Sequence, residues 1–98
     1  MEKYSRTQSI IDGELDNHQV IMHIERGKYF GLNPVGKRIW TLIEEPKTFE
    51  EITSALILEY NISPDQCKTE VREFLDKGVE CDIIVRQWAW LQNFAEYL

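Results

Sequence analysis

The sequence is short of almost everything that reactive chemistry draws on. Its two cysteines, Cys67 and Cys81, stand in no CxxC or Cys/His array, which argues against a zinc site and against a secreted disulfide scaffold. A reduced, cytoplasmic protein is the expectation, with a single Cys67–Cys81 bridge left open as the alternative. The two histidines, His18 and His23, have no HExxH, HxH or GxSxG spacing around them, so no nucleophile, base or metal triad converges and no catalytic residue is assigned. The five glycines (Gly13, Gly27, Gly31, Gly36, Gly78) are scattered singly, so no phosphate-cradling loop is present and no cofactor is expected. Bases are scarce as well: 11 Lys and Arg against 17 Asp and Glu give a net charge of -6, the wrong sign for a protein held to nucleic acid by phosphate contacts. The polar start MEKYSRTQ has no apolar signal region, and no run approaches the roughly 18 apolar residues of a membrane span. Neither a targeting segment nor a membrane partner is expected.

What is there fits one small domain. Apolar residues make up 43% of 98 residues and aromatics 11%, enough for a single core without metal or disulfide staples. The first third alternates like sheet and the remainder is periodic like helix. Ser9 to Leu15 closes on Asp16-Asn17, after which Val20, Met22 and Ile24 alternate with Gln19, Ile21 and His23, the pattern of a hairpin. Arg26-Gly27 makes a second turn into a short third strand from Lys28 to Leu32, with Lys28, Phe30 and Leu32 on one side and Tyr29 and Gly31 on the other. Gly31 leaves a gap on its face, as a strand does where another backbone comes close.

Three helices follow. Asn33 and Pro34 read as N-cap and first helical residue, ahead of a Val35, Ile39, Leu42, Ile43 stripe that ends at Glu44-Glu45-Pro46. Thr48 with Glu51 forms a capping box for a second helix through Tyr60, with Phe49, Ile52 and Leu56 inward. Ser63-Pro64-Asp65-Gln66 opens a third, with Cys67, Val71, Phe74 and Leu75 inward and Gly78 as its stop. Val79 to Val85 is either a fourth short strand or an extended tail. From Gln87 to Leu98 a helix would gather Trp88, Trp90, Leu91, Phe94, Tyr97 and Leu98 on one half of its surface. That half must be covered, by the protein's own sheet, by a partner enzyme or by a second copy in a homodimer. The polar half is not basic, which argues against a membrane surface.

Two helices joined by a short turn beside a small sheet have the outline of a winged helix-turn-helix, yet the third helix carries Lys68, Arg72 and Lys77 against Asp65, Glu70, Glu73 and Asp76, and the second carries only acids. A recognition helix needs the opposite balance. A winged-helix DNA-binding regulator is therefore the less favoured reading. Of the aromatics, Phe30 and Trp40 are expected in the core and Tyr29 within reach of solvent.

A strand ending in Tyr-Phe-Gly-Leu-Asn-Pro-Val-Gly and running into Arg38-Ile39-Trp40-Thr41-Leu42, then Thr-Phe-Glu-Glu-Ile, then Phe74-Leu75-Asp76-Lys77-Gly78-Val79, closely resembles the PqqD-like family. These are the recognition elements that bind leader peptides of ribosomally made, post-translationally modified peptides (RiPPs). The resemblance spans about residues 9 to 85 and is most specific from Tyr29 to Trp40. A free-standing protein of this size looks most like the leader-binding protein of lasso peptide systems, with the peptide chaperone of the PQQ pathway as the nearest alternative.

The resemblance implies an α+β fold of winged helix-turn-helix type, a three-stranded antiparallel sheet followed by three helices, with no activity of its own. It implies that the leader adds as a further antiparallel strand to the third strand, in a groove whose other wall is the third helix, and that a leader peptidase and a macrocyclase are the partners. On that basis Lys28, Tyr29, Phe30, Gly31 and Leu32 offer the strand edge, and Lys68, Val71, Arg72 and Leu75 the helical wall. The expected division is a leader-recognition domain over residues 1–85 and a C-terminal aromatic amphipathic extension over 86–98.

Overall fold

A computed structural model describes residues 1–16 and 18–88, Trp88 by its backbone alone. Strands β1 (Glu2–Arg6), β2 (Ile10–Leu15), β3 (His18–His23) and β4 (Lys28–Gly31) precede helix α1 (Pro34–Leu42). A two-residue strand β5 (Lys47–Thr48) leads into α2 (Phe49–Glu59), and α3 (Pro64–Glu80) is followed by β6 (Ile84–Trp88). The chain is α+β, with two three-stranded antiparallel sheets in the orders β5-β1-β6 and β2-β3-β4.

Local chemistry sets the helix starts. The Asn33 side chain accepts from the Gly36 amide at 2.7 Å, with Pro34 occupying the position where a missing N–H costs nothing. Thr48 and Glu51 close a reciprocal capping box, Oγ1 accepting from the Glu51 amide at 3.1 Å and Glu51 Oε1 accepting from the Thr48 amide at 2.9 Å. That amide holds the Glu51 carboxyl below the usual carboxylate range. Ser63 Oγ caps α3 by accepting from the Gln66 amide at 3.2 Å. Gly27, at φ +62, supplies the left-handed residue that turns β3 into β4.

Trp40, 1% exposed, ties the layers together. Its indole Nε1 donates to Asp12 Oδ1 on β2 at 3.0 Å, while Arg6 on β1 donates to the Trp40 carbonyl through Nε at 3.0 Å and Nη2 at 2.6 Å. The same guanidinium lies 4.5 Å from the indole ring centroid. Around Trp40 the core takes Ile39 and Ile43 from α1, Ile52 and Leu56 from α2, and Val71 and Leu75 from α3.

Several expectations need correction. The three-stranded sheet before three helices is present as β2-β3-β4 and α1 to α3, but a second sheet frames it. Residues 2–6 read only as a polar start with no element assigned, yet they form β1, central in that second sheet, held by two partner strands from distant parts of the chain. In β3 the buried residues are Ile21 and His23, while Ile24 lies past the strand and is exposed. Helix α3 runs through Gly78 to Glu80 and is capped by Cys81. Gly78 serves close packing instead of termination: a Cβ there would collide with the Ile84 side chain. Gln87 and Trp88 pair with Lys3 and Glu2 in β6, so the residues expected to begin a terminal helix are strand, and the boundary expected at 85 falls inside β6. Residues 89–98, and Asn17 of the first turn, lie outside the described residues. Cys67 and Cys81 are both free thiols. Among the described residues no helix is long and apolar enough to cross a membrane.

Candidate functional site

The outer edge of β4 opens onto a groove of about 720 Å³. Tyr29 to Leu32 form one wall; α3 forms the other through Glu70, Glu73, Phe74 and Lys77; Val35, Gly36, Ile39 and Ile83 lie between. Its shape depends on Gly36, where a Cβ would stand 2.9 Å from Phe74 Cε2 and 3.2 Å from Asn33 Oδ1. The bare α-carbon lets α1 start against α3 and sets the depth of the groove beside Phe74.

Hydrogen-bond alternation identifies which backbone groups face the groove. The Leu32 amide donates to the Gln19 carbonyl at 3.1 Å, and Phe30 pairs with Ile21 and Lys28 with His23 in the same register. In an antiparallel ladder alternate residues point their amide and carbonyl to opposite edges, so Tyr29 and Gly31 direct theirs to the free edge. Tyr29 is 65% exposed, and nothing lies within 4 Å of a Cβ built on Gly31. The gap anticipated at Gly31 is therefore open space beside an unpaired edge. The far end is fixed by His23, whose Nε2 lies 3.2 Å from Asp82 Oδ2 and whose Nδ1 accepts from the Arg26 amide at 3.3 Å. This joins the β3–β4 turn to the segment after α3, so the two walls are held at a set spacing.

Of the residues expected to form the site, Tyr29, Phe30, Gly31 and Leu32 come together on the groove, while Lys28 ends the strand beside it. The helical set does not join them. Val71 and Leu75 are 0% exposed and belong to the core, so they have no surface to offer a ligand. Arg72 faces the other sheet: its Nη1 donates to the Tyr4 hydroxyl at 2.8 Å, and its guanidinium lies 4.2 Å from the Phe49 ring centroid. Burial raises the Tyr4 pKa, keeping its hydroxyl protonated to donate in turn to Glu2 Oε1 at 2.7 Å. Lys68 is exposed and lies outside the groove lining. The stripe turned to the groove is instead Glu70, Glu73, Phe74 and Lys77. Its spacing is visible in the sequence once Val71 and Leu75 are assigned to the core.

An edge strand thus lies beside a helix-walled groove lined by both apolar and charged side chains. The chain belongs to the PqqD family: the model of that family, described as coenzyme PQQ synthesis protein D (PqqD), matches residues 18–84. Among solved structures it is similar to TbiB1 in complex with the TbiA(beta) leader peptide, at 32% identity over 82% of this chain and 93% of that one, with a TM-score of 0.73. It shares its fold with a lasso peptide synthetase B1 complexed with the leader peptide, at 15% identity over 84% of this chain and 96% of that one, with a TM-score of 0.74. No curated protein matches the chain at a significant level.

Proposed function

We propose that this protein captures the leader region of a ribosomally synthesised precursor peptide by strand addition to β4, and presents it to separate processing enzymes in lasso peptide biosynthesis. The observation that carries the reading is the free β4 edge at Tyr29 and Gly31 set beside the α3 groove. Ladder bonds to that edge supply affinity whatever the leader's side chains, and alternate side chains falling into the groove between Phe30, Val35 and Phe74 supply selectivity. The opposite edge of the same sheet, β2, carries Asp12 and Glu14, charges of the kind that discourage strand pairing, whereas the one charge on β4 (KYFG) is Lys28 at its turn end. The likeness to TbiB1, solved with a leader peptide, supports the same assignment.

In this reading the protein is a non-catalytic, cofactor-free RiPP recognition element acting in the cytoplasm, with a leader peptidase and a macrocyclase as its enzyme partners. Its helices and open sheet have a winged helix-turn-helix outline put to peptide use, the acidic balance of α3 being unsuited to DNA. The recognition domain then runs through β6 to Trp88, and the rest of the proposed extension, residues 89–98, serves packing, enzyme docking or self-association. The PqqD family match favours one second reading, a peptide chaperone of the PQQ type.

Fluorescence anisotropy with the labelled leader of the precursor encoded beside this protein tests the proposal. Dissociation constants at or below about 1 μM, near 8 kcal/mol, are expected. Tighter binding of a PQQ-type precursor would move the assignment to the second reading, and no binding with or without the peptidase would overturn both.

A further inference from the structure

The groove has an electrical direction as well as a shape. Its polarity follows from two contacts. Gly36, just past the Leu32 end of β4, packs against Phe74, and His23, which pairs with Lys28 at the other end, reaches Asp82 beyond the end of α3. Strand β4 and helix α3 therefore run in opposite senses along the groove. Glu70 and Glu73 lie toward the Leu32 end, and Lys77 lies one turn further toward the Lys28 end. At about 1.5 Å per helical residue and about 3.4 Å per strand residue, the stretch from Glu70 to Lys77 and the stretch from Lys28 to Leu32 are each on the order of 10 Å, so wall and edge match in length.

The charges on this stripe make no ion pair among the described residues, and the attraction between Glu73 and Lys77, one turn apart on α3, is weak. Asp76, on the neighbouring face of α3, is paired with Arg86 at 3.2 Å, and Glu59 on α2 with Arg38 at 2.6 Å. Glu70, half-buried, accepts only from the neutral Gln66 amide at 3.2 Å, and Glu73, Lys77 and Lys28 have no charged partner among the described residues. Arginines thus neutralise acids on the surfaces around the groove but not the two acids within it.

Resting on the leader-capture reading, we infer that Glu70 and Glu73 are specificity-determining residues that select a basic side chain in the N-terminal half of the bound leader segment, with Lys77 and Lys28 favouring an acidic one in its C-terminal half. An antiparallel strand on β4 places its N-terminal half beside Leu32, hence beside the two glutamates. Ladder bonds alone are indifferent to side chains and tolerate a slip along the strand. A slip by two residues would keep every side chain on its face yet move the leader's charges away from these groups. The charge pattern therefore fixes register where the backbone does not, and like charges brought together reject the wrong leader.

The test is a charge scan of the same labelled leader, each position replaced in turn by Lys and by Glu, read by anisotropy against the native protein, E70K/E73K and K77E. Native protein should bind Lys at one or two N-terminal positions about three- to tenfold more tightly than Glu at the same positions. E70K/E73K should invert that preference, and K77E should invert the opposite preference in the C-terminal half. All three proteins should fold and melt within a few degrees of one another, the variants slightly lower because each puts like charges at positions 73 and 77, one turn apart on α3. A scan that is flat in all three, with the parent leader still bound, overturns the charge inference and leaves leader capture standing. Failure of the parent leader to bind the native protein overturns leader capture, and this inference with it.

Discussion

The two sheets are built of similar short antiparallel strands and are treated oppositely by the rest of the molecule. In β5-β1-β6 the central strand is stitched on both sides: Tyr4 is buried and bonded to Arg72, Arg6 grips the Trp40 carbonyl, and Ile84 of β6 fills the space left by Gly78. In β2-β3-β4 only Ile21 and His23 are fully buried, Ile11, Leu15 and Tyr29 are largely exposed, and β4 ends the sheet beside a groove. One sheet is pinned into the core through its central strand, and the other sets an edge strand beside a groove. Helix α3 stands between the two roles, with Val71, Arg72 and Leu75 serving the first and Glu70, Glu73, Phe74 and Lys77 the second.

Substitutions can break this division. The largest effect is expected from Trp40→Ala, which removes the buried α1 indole that meets Asp12 of β2 and Arg6 of β1 and should cost about 3–5 kcal/mol in chemical denaturation. A melting temperature close to native would contradict the central place given to Trp40. Next comes Gly31→Val. A Cβ at this position has no atom of the free protein within 4 Å, so stability should hold while leader affinity falls by about tenfold, or about 1.4 kcal/mol, because the space beside the paired edge is filled. Equal affinity for native and variant would place the leader elsewhere.

Arg72→Leu sharpens the comparison from the other side. Losing the Tyr4 bond and the Phe49 stack should cost about 1 kcal/mol of stability, with leader affinity unchanged. The reverse pattern would return Arg72 to the groove. The smallest effect concerns acid. Glu51 and Glu59 have depressed pKa values in the fold, so their stabilisation is present above the ordinary carboxylate pKa of about 4.3 and is lost as pH falls through the folded values. Glu51→Gln keeps an acceptor for the Thr48 amide but cannot titrate, so its melting temperature should fall less steeply than native on acidification.

Features written in neighbouring residues were legible in the sequence. The caps at Asn33, Thr48 and Ser63 are pairs of groups three residues apart, and the β2-β3-β4 hairpins are set by short turns, so no distant contact was needed to place them. Strand β1 was not legible because EKYSR becomes a strand only through β5 and β6, and Tyr4 is its one fully buried side chain. Gly78 was misplaced for the same kind of reason, its cause being Ile84 in another element and not the end of a helix. At the groove, the strand wall followed from the Tyr29 to Trp40 motif, whereas the helical wall was rotated. Val71 and Leu75 fit both the core stripe and the helical wall in the sequence, and a side chain wholly inside the core cannot also meet a ligand.

The central claim is that the leader pairs with β4, and amide hydrogen exchange followed by NMR tests it most directly. With saturating leader, the Tyr29 and Gly31 amides should gain protection while amides on the outer edge of β2 exchange as before. Protection gained at the β2 edge or along β5-β1-β6, with Tyr29 and Gly31 unchanged, would contradict it.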